Sequence, residues 1–100
     1  NIVKNFIIKA ELQSDLYSMY NENMKFVDYL YIGSYKNSVM MNNLFRTIKE
    51  NDNLDYLQES DEEDFENTDY DKYVDLSLSI NMECILSTKF KKWVPVKKII

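Results

Sequence analysis

Apolar and polar residues alternate with a period of two at both ends of the chain, and the period lengthens once, in the middle. From Asn1 to Ala10 the chain is rich in Ile, Val and Phe, with Phe6, Ile8 and Ala10 on one face and Ile7 and Lys9 on the other. That spacing predicts a strand. Asp15 to Tyr20 sets Leu16 and Tyr20 against Tyr17 and Met19, and Lys25 to Ile32 sets Phe26, Leu30 and Ile32 against Val27, Tyr29 and Tyr31. Between them stand the turn formers Asn21, Glu22 and Asn23, so the two runs read as a β-hairpin, although no Asn-Gly or Asp-Gly fixes the turn type. The only glycine, Gly33, ends it.

The period then changes. Met41, Leu44, Phe45 and Ile48 stand at i, i+3, i+4 and i+7, one helical stripe. Asn37 or Ser38 can cap it, because a short polar side chain accepts from an orphan backbone N–H. Arg46 and Lys49 lie near the C-terminal end, where cations suit the helix dipole. The spacing predicts a helix from Ser38 to Glu50, broken by Asn51, Asp52 and Asn53. After an acidic stretch, Tyr73 to Ile80 alternates again, Met82 to Leu86 and Lys89 to Val96 read as further strands, and Ser87 and Thr88 offer a turn. Pro95 has no N–H for a ladder, which puts the last strand at a sheet edge or Pro95 near its end. Strands around one helix predict an α+β fold: a small antiparallel sheet, or a partly closed barrel like the oligonucleotide-binding (OB) barrel, with a long acidic loop.

Charge sharpens the picture. Between Glu50 and Asp71 stand 11 acids and no base, so the net charge of −5 conceals a basic body joined to a polyanionic segment. Residues 59–71 read as an exposed acidic loop. Solvation alone accounts for such a run. Two sharper readings are phosphorylation of Ser60 within Ser60-Asp61-Glu62-Glu63, and a nucleic-acid mimic that covers the basic surface until another polyanion displaces it. At 100 residues the chain reads as a single domain, 1–100, and with no initiating Met it is expected to be a fragment of a longer protein.

Chemistry is sparse. There is no His, one Gly and one Cys, Cys84. General-base catalysis by His, a zinc site and phosphate-cradling glycine loops have no residues to build them, so neither catalytic residues, metal ligands nor a cofactor are expected. The lone Cys fits a buried thiol in a reducing compartment, and no apolar run is long enough to span a membrane. An intracellular protein with no membrane partner is expected.

The basic C-terminal end carries the candidate site. Lys89, Lys91, Lys92, Lys97 and Lys98 are interleaved with Phe90 and Trp93. Lysines that meet phosphates beside an aromatic that stacks on a base suit single-stranded RNA or DNA. The competing reading is an edge strand blunted by lysines, with its aromatics turned inward as core. Strict alternation would put Trp93 with Lys91 on one face and Phe90 with Lys92 on the other. Arg46 and Lys49 are possible helpers, and Tyr29, Tyr31 and Tyr35 with Lys36 extend the aromatic and basic surface.

The stretch from Tyr35-Lys36-Asn37-Ser38 through Leu44-Phe45-Arg46 to Asn53-Leu54-Asp55 resembles a pattern in proteins of giant DNA viruses. Glu59-Ser60-Asp61-Glu62-Glu63-Asp64-Phe65-Glu66-Asn67, Asp71-Lys72-Tyr73-Val74-Asp75 and Lys89-Phe90-Lys91-Lys92-Trp93-Val94-Pro95-Val96 look like its continuations. The likeness is to C-terminal regions of capping-enzyme-like or ligase-like RNA-processing proteins, and an Asn-, Lys-, Ile-, Tyr- and Phe-rich composition agrees with an AT-rich genome. Such enzymes join a nucleotidyl-lysine domain to an OB barrel. Their Lys-x-Asp-Gly motif is absent here, and Arg46-Thr47-Ile48-Lys49 has only the end residues of their Arg-x-Asp-Lys motif. The resemblance therefore implies a non-catalytic accessory module of mRNA capping or related RNA processing, held in a larger polypeptide in the host cytoplasm or virion. The alternative is a protein–protein interaction module whose acidic loop contacts a basic partner.

Overall fold

The computed structural model describes residues 1–46 and 74–100. Its elements are β1 (Val3–Ala10), β2 (Tyr17–Tyr20), β3 (Phe26–Tyr29), α1 (Tyr35–Phe45), β4 (Ile80–Ser87) and β5 (Lys92–Lys98). The fold is α+β, with one antiparallel sheet in the order β3-β2-β1-β4-β5 and a single helix among the described residues. The acidic loop 59–71, Ser60 and Lys49 lie outside the described residues.

Strand β1 is central because it alternates cleanly. Phe6, Ile8 and Ala10 are buried, and their cross-strand partners Met82, Ile80 and Tyr17 are buried too. Met19, Leu30 and Cys84 complete the inner face, which α1 covers with Met41 and Phe45. The Phe45 ring lies 5.3 Å from that of Tyr17. Burial pushes the Cys84 thiol up to about 12, so it is an inert piece of core. Burial also raises the Tyr17 phenol, against the opposing pull of the Arg46 guanidinium.

Local chemistry explains the boundaries. The β2–β3 turn needs no glycine because the Asn21 side chain accepts from the backbone N–H groups of Asn23 and Lys25 at 2.9 and 3.0 Å, with Met24 left-handed at φ 61°. The helix begins earlier than its apolar stripe predicts. Ser34, not Asn37 or Ser38, is the N-cap, accepting from Asn37 N at 3.1 Å. The first turn was hidden because Tyr35 is 85% exposed and adds nothing to the stripe. The helix also ends before Glu50: Arg46 is already extended (φ −121°, ψ 135°) and bridges to Val74, while Asp75 N donates to Phe45 O at 2.9 Å. Pairing with a distant segment overrides helix propensity there.

Two strand expectations need correction. Val74 to Ser79 is not a strand, despite its alternation. Beyond the Val74 bridge it turns, with Asp75 accepting from the Ser77 hydroxyl at 2.7 Å and the Ser77 N–H at 3.0 Å, and both bonds hold its carboxyl below the usual range. Lys89 to Lys91 also leave the strand, forming the β4–β5 turn in which Lys91 takes φ 56° and donates its N–H to Ser87 O at 2.6 Å. Pro95 fits its edge strand: it faces Cys84 where the β4–β5 register shifts.

The sheet's two edge strands, β3 and β5, curl toward each other. Tyr31, two residues beyond β3, donates its N–H to Trp93 O at 2.8 Å. Lys92 Nζ lies 3.2 and 3.3 Å from the Asp28 carboxylate oxygens. No strand ladder joins the edges, so the sheet is curled rather than closed.

Replacing Phe45 with Ala removes the ring that seats α1 on the sheet. The expected cost is about 3–5 kcal/mol in urea unfolding, as for other buried aromatics. For a domain of this size that is a large part of the total stability.

Candidate functional site

Among the described residues, the cationic and aromatic side chains singled out in the sequence do not form one patch. Lys89 and Lys91 are exposed in the β4–β5 turn, and Lys92 opens β5. Lys97 and Lys98 stand at the far end of that strand, opposite Glu83 and Met82, about 16–20 Å along an extended chain. Arg46 sits at the helix C-terminus, its guanidinium beside Tyr17 and 3.5 Å from Gln13 O. Trp93 is half-buried on the inner face, opposite Leu86, its ring packed edge-on against Phe6 at 4.9 Å. Of the two aromatics in the run, Trp93 has turned inward and Phe90 is the exposed one, 52% accessible.

What gathers instead is a smaller constellation at the meeting of the edges. The Phe90 ring packs on the Tyr31 ring at 5.2 Å with 34° between planes. Lys89 Nζ lies 5.4 Å from the centroid of the Phe90 ring, within cation–π range. Lys91 projects from the same turn in its left-handed conformation. A side chain with φ above zero is uncommon, so this turn keeps a lysine where glycine would be easier.

Gly33 sets the Tyr31 ring. A Cβ built at Gly33 would fall on that ring, 2.7 Å from its Cζ. The chain's one glycine is thus needed for a close approach, since its φ is ordinary. Asp28 fixes the other side. Its carboxyl is held below the ordinary 3.8 chiefly by the Tyr29 backbone N–H at 2.6 Å and then by Lys92. It is partly exposed, as is Lys92, so the pair orients more than it stabilises.

A second feature was not legible in the sequence. Strict alternation puts Phe26 with Leu30 on the inner face. The β2–β3 register slips instead between Met19 and Tyr20, so that Val27 is the extra residue of a bulge and Phe26 faces Tyr20. Phe26 thereby joins Tyr20 and Tyr29 on the outer face. Nearby, a cleft of about 830 Å³ is lined by Lys4, Asn5, Phe6, Asn21, Asn81 and Trp93, among others. Among the described residues no three His, Cys, Asp or Glu side chains gather to hold a metal ion, and no helix is long and apolar enough to cross a membrane.

Two outcomes test this geometry. Gly33→Ala should drive the Tyr31 ring off its seat and erase nuclear Overhauser contacts between Tyr31 and Phe90, while contacts in the Phe6–Trp93 pair persist. The Asp28 contribution to edge contact has a set sign with pH. Its folded pKa is depressed, so its stabilisation is present above the ordinary carboxylate pKa and is lost as pH falls through the lowered folded value. Acidification should therefore weaken Asp28–Lys92 contact in NMR titrations, and Asp28→Asn should remove that pH response.

Comparison with protein-family models, with curated proteins and with solved structures finds no match to this chain, so its function has to be read from its own residues.

Proposed function

We propose that this chain is a non-catalytic accessory module that grips single-stranded nucleic acid at the β4–β5 turn. One observation carries the reading: the turn holds an exposed aromatic ring, Phe90, backed by Tyr31 and flanked by the ammonium group of Lys89, with Lys91 exposed in the same turn. Rings stack on bases of any sequence, while lysines meet the phosphates and release counterions. Lys92 is partly committed to Asp28, and Trp93 to Phe6, so both support the turn from behind. Lys97 and Lys98 extend a positive edge along β5. Outside the acidic stretch from Glu50 to Asp71 the chain carries 12 basic and 6 acidic side chains, a balance that suits a polyanion.

The strand order, with a helix between β3 and β4 and two edges in contact, supports a partly closed OB-like barrel. The resemblance to capping-enzyme-like or ligase-like viral proteins extends the proposal to the host process. In that setting the module would position an RNA for a catalytic domain elsewhere in a larger polypeptide.

The test is titration of a fluorescent single-stranded RNA at several salt concentrations, with Trp93 emission as an internal reporter. Affinity should fall with salt, and the double variant Lys89→Ala, Lys91→Gly should reduce the log–log slope by roughly 1.4, the share of two phosphate contacts on a single strand. Lys91→Gly is a clean probe, because glycine accepts φ 56° and should leave stability unchanged or raised by up to about 1 kcal/mol. Unchanged affinity and slope in the double variant would refute the proposal.

A further inference from the structure

Strand β1 is paired on both sides over only part of its length. It meets β4 from Val3 to Ile8, but β2 only from Ile7 to Ala10. Two bonds beyond its ends show which way each backbone group points. Leu86 N donates to Ile2 O at 2.9 Å, in register with the β1–β4 pairs, so Ile2, Lys4 and Phe6 turn their N–H and C=O groups to β4. Glu11 N donates to Leu16 O at 3.0 Å, in register with the β1–β2 pairs, so the odd-numbered residues turn theirs to the β2 side. On that side the last pair is Ile7 with Tyr20, because the chain turns away at Asn21. Val3 and Asn5 are left with backbone donors and acceptors aimed at no strand among the described residues. Residues 1–5 are all exposed.

The cleft of about 830 Å³ lies along this open edge. Lys4, Asn5, Phe6 and Ile7 line it in succession. Their side chains alternate between faces, so that wall of the cleft is the backbone edge itself. Glu22, in the turn that follows Tyr20, stands at the Ile7 end of the edge, and Lys4 lies farther along. Among the described residues neither Lys4 nor Glu22 has an ion-pair partner.

We propose that this edge binds an extended segment of a partner protein as an added antiparallel strand, with the residue order basic-x-acidic-x-apolar. Backbone groups that repeat at every second residue are matched by another strand. Antiparallel is the sense of every strand pair in this sheet, and the more stable one per residue. It puts the N-terminal part of the segment beside Glu22 and its middle opposite Lys4, so a basic residue precedes an acidic one. Lys4 takes the non-hydrogen-bonded position toward the added strand, where facing side chains approach most closely. Two residues beyond the acid, the segment faces Ile2, which is 51% exposed and shares the Lys4 face. An apolar residue fits there. The site is independent of the nucleic-acid reading, since none of these groups lies in the β4–β5 turn.

The experiment adds the capped hexapeptide Lys-Thr-Asp-Thr-Val-Thr to the isotope-labelled whole chain and follows amide exchange by NMR. In the free chain the Val3 and Asn5 amides should exchange fast and those of Lys4 and Phe6 slowly; with peptide, all four should be protected. The isomer Asp-Thr-Lys-Thr-Val-Thr has the same composition and net charge and should bind more weakly. Lys4→Glu combined with Glu22→Lys should invert that preference. Asn5→Pro deletes an N–H that no ladder of the free fold uses, and should weaken binding about fivefold, the worth of one hydrogen bond. N-methylation of the peptide threonine between Asp and Val, whose N–H would donate to Val3 O, should do the same with the protein unaltered. Val3 and Asn5 amides that stay unprotected at about 1 mM peptide would mean that Lys4 only blunts the edge, and would overturn the proposal. Equal binding of the two isomers, or indifference to N-methylation, overturns it as well. Protection of both amides without peptide, in a dimer that Asn5→Pro dissolves, would assign the edge to a second copy and overturn it too.

Discussion

The hydrogen bond from the Tyr31 N–H to the Trp93 carbonyl joins two strand edges that would otherwise be open. An edge strand leaves backbone donors and acceptors unpaired, and such edges invite pairing with other chains. Here the first and last strands of the spatial order supply partners to each other, because the sheet curls far enough to bring them together. The contact is small, one backbone bond and one partly exposed ion pair. Its consequence is positional. It brings residues 28–31 against residues 90–93, segments separated by about sixty positions in the chain. Gly33 serves the same end, since only a residue without a Cβ lets the Tyr31 ring lie where Phe90 can meet it.

The division of labour within the basic C-terminal run follows from this contact. Five lysines and two aromatics in ten residues read as a single binding element, and the fold splits it. Trp93 goes inward onto Phe6, and Lys92 turns to Asp28. Phe90, Lys89 and Lys91 remain outside, in a turn that holds Lys91 in a backbone conformation glycine would adopt more easily. The expected inward turn of the aromatics therefore holds for Trp93 and not for Phe90. The inward aromatic is core, and the exposed one has the surroundings of a stacking residue.

Much of the framework was legible because its periodicity is strict. Phe6, Ile8 and Ala10 gave β1 and its buried face, and Met41 with Phe45 gave the contact side of the helix. The failures share a cause, which is that long-range pairing overruled a local pattern. Val74 to Ser79 alternates like a strand but finds only one bridge, from Val74 to Arg46. The helix stripe runs past Arg46, yet the chain leaves the helix there to make that bridge. The Phe26 face was unreadable because alternation cannot reveal a one-residue slip, and such a slip reverses every side chain beyond it. Of the candidate site, residue types were legible and their companions were not: no local signal joins Tyr31 to Phe90.

Amide hydrogen exchange at Tyr31 in the free chain tests the central claim most directly. An edge amide that donates to Trp93 O should exchange slowly, with protection approaching that of β1 amides in the middle of the sheet. Exchange at the rate of an exposed loop amide would mean that the edges do not meet, and the placement of Phe90 against Tyr31 would fall with them.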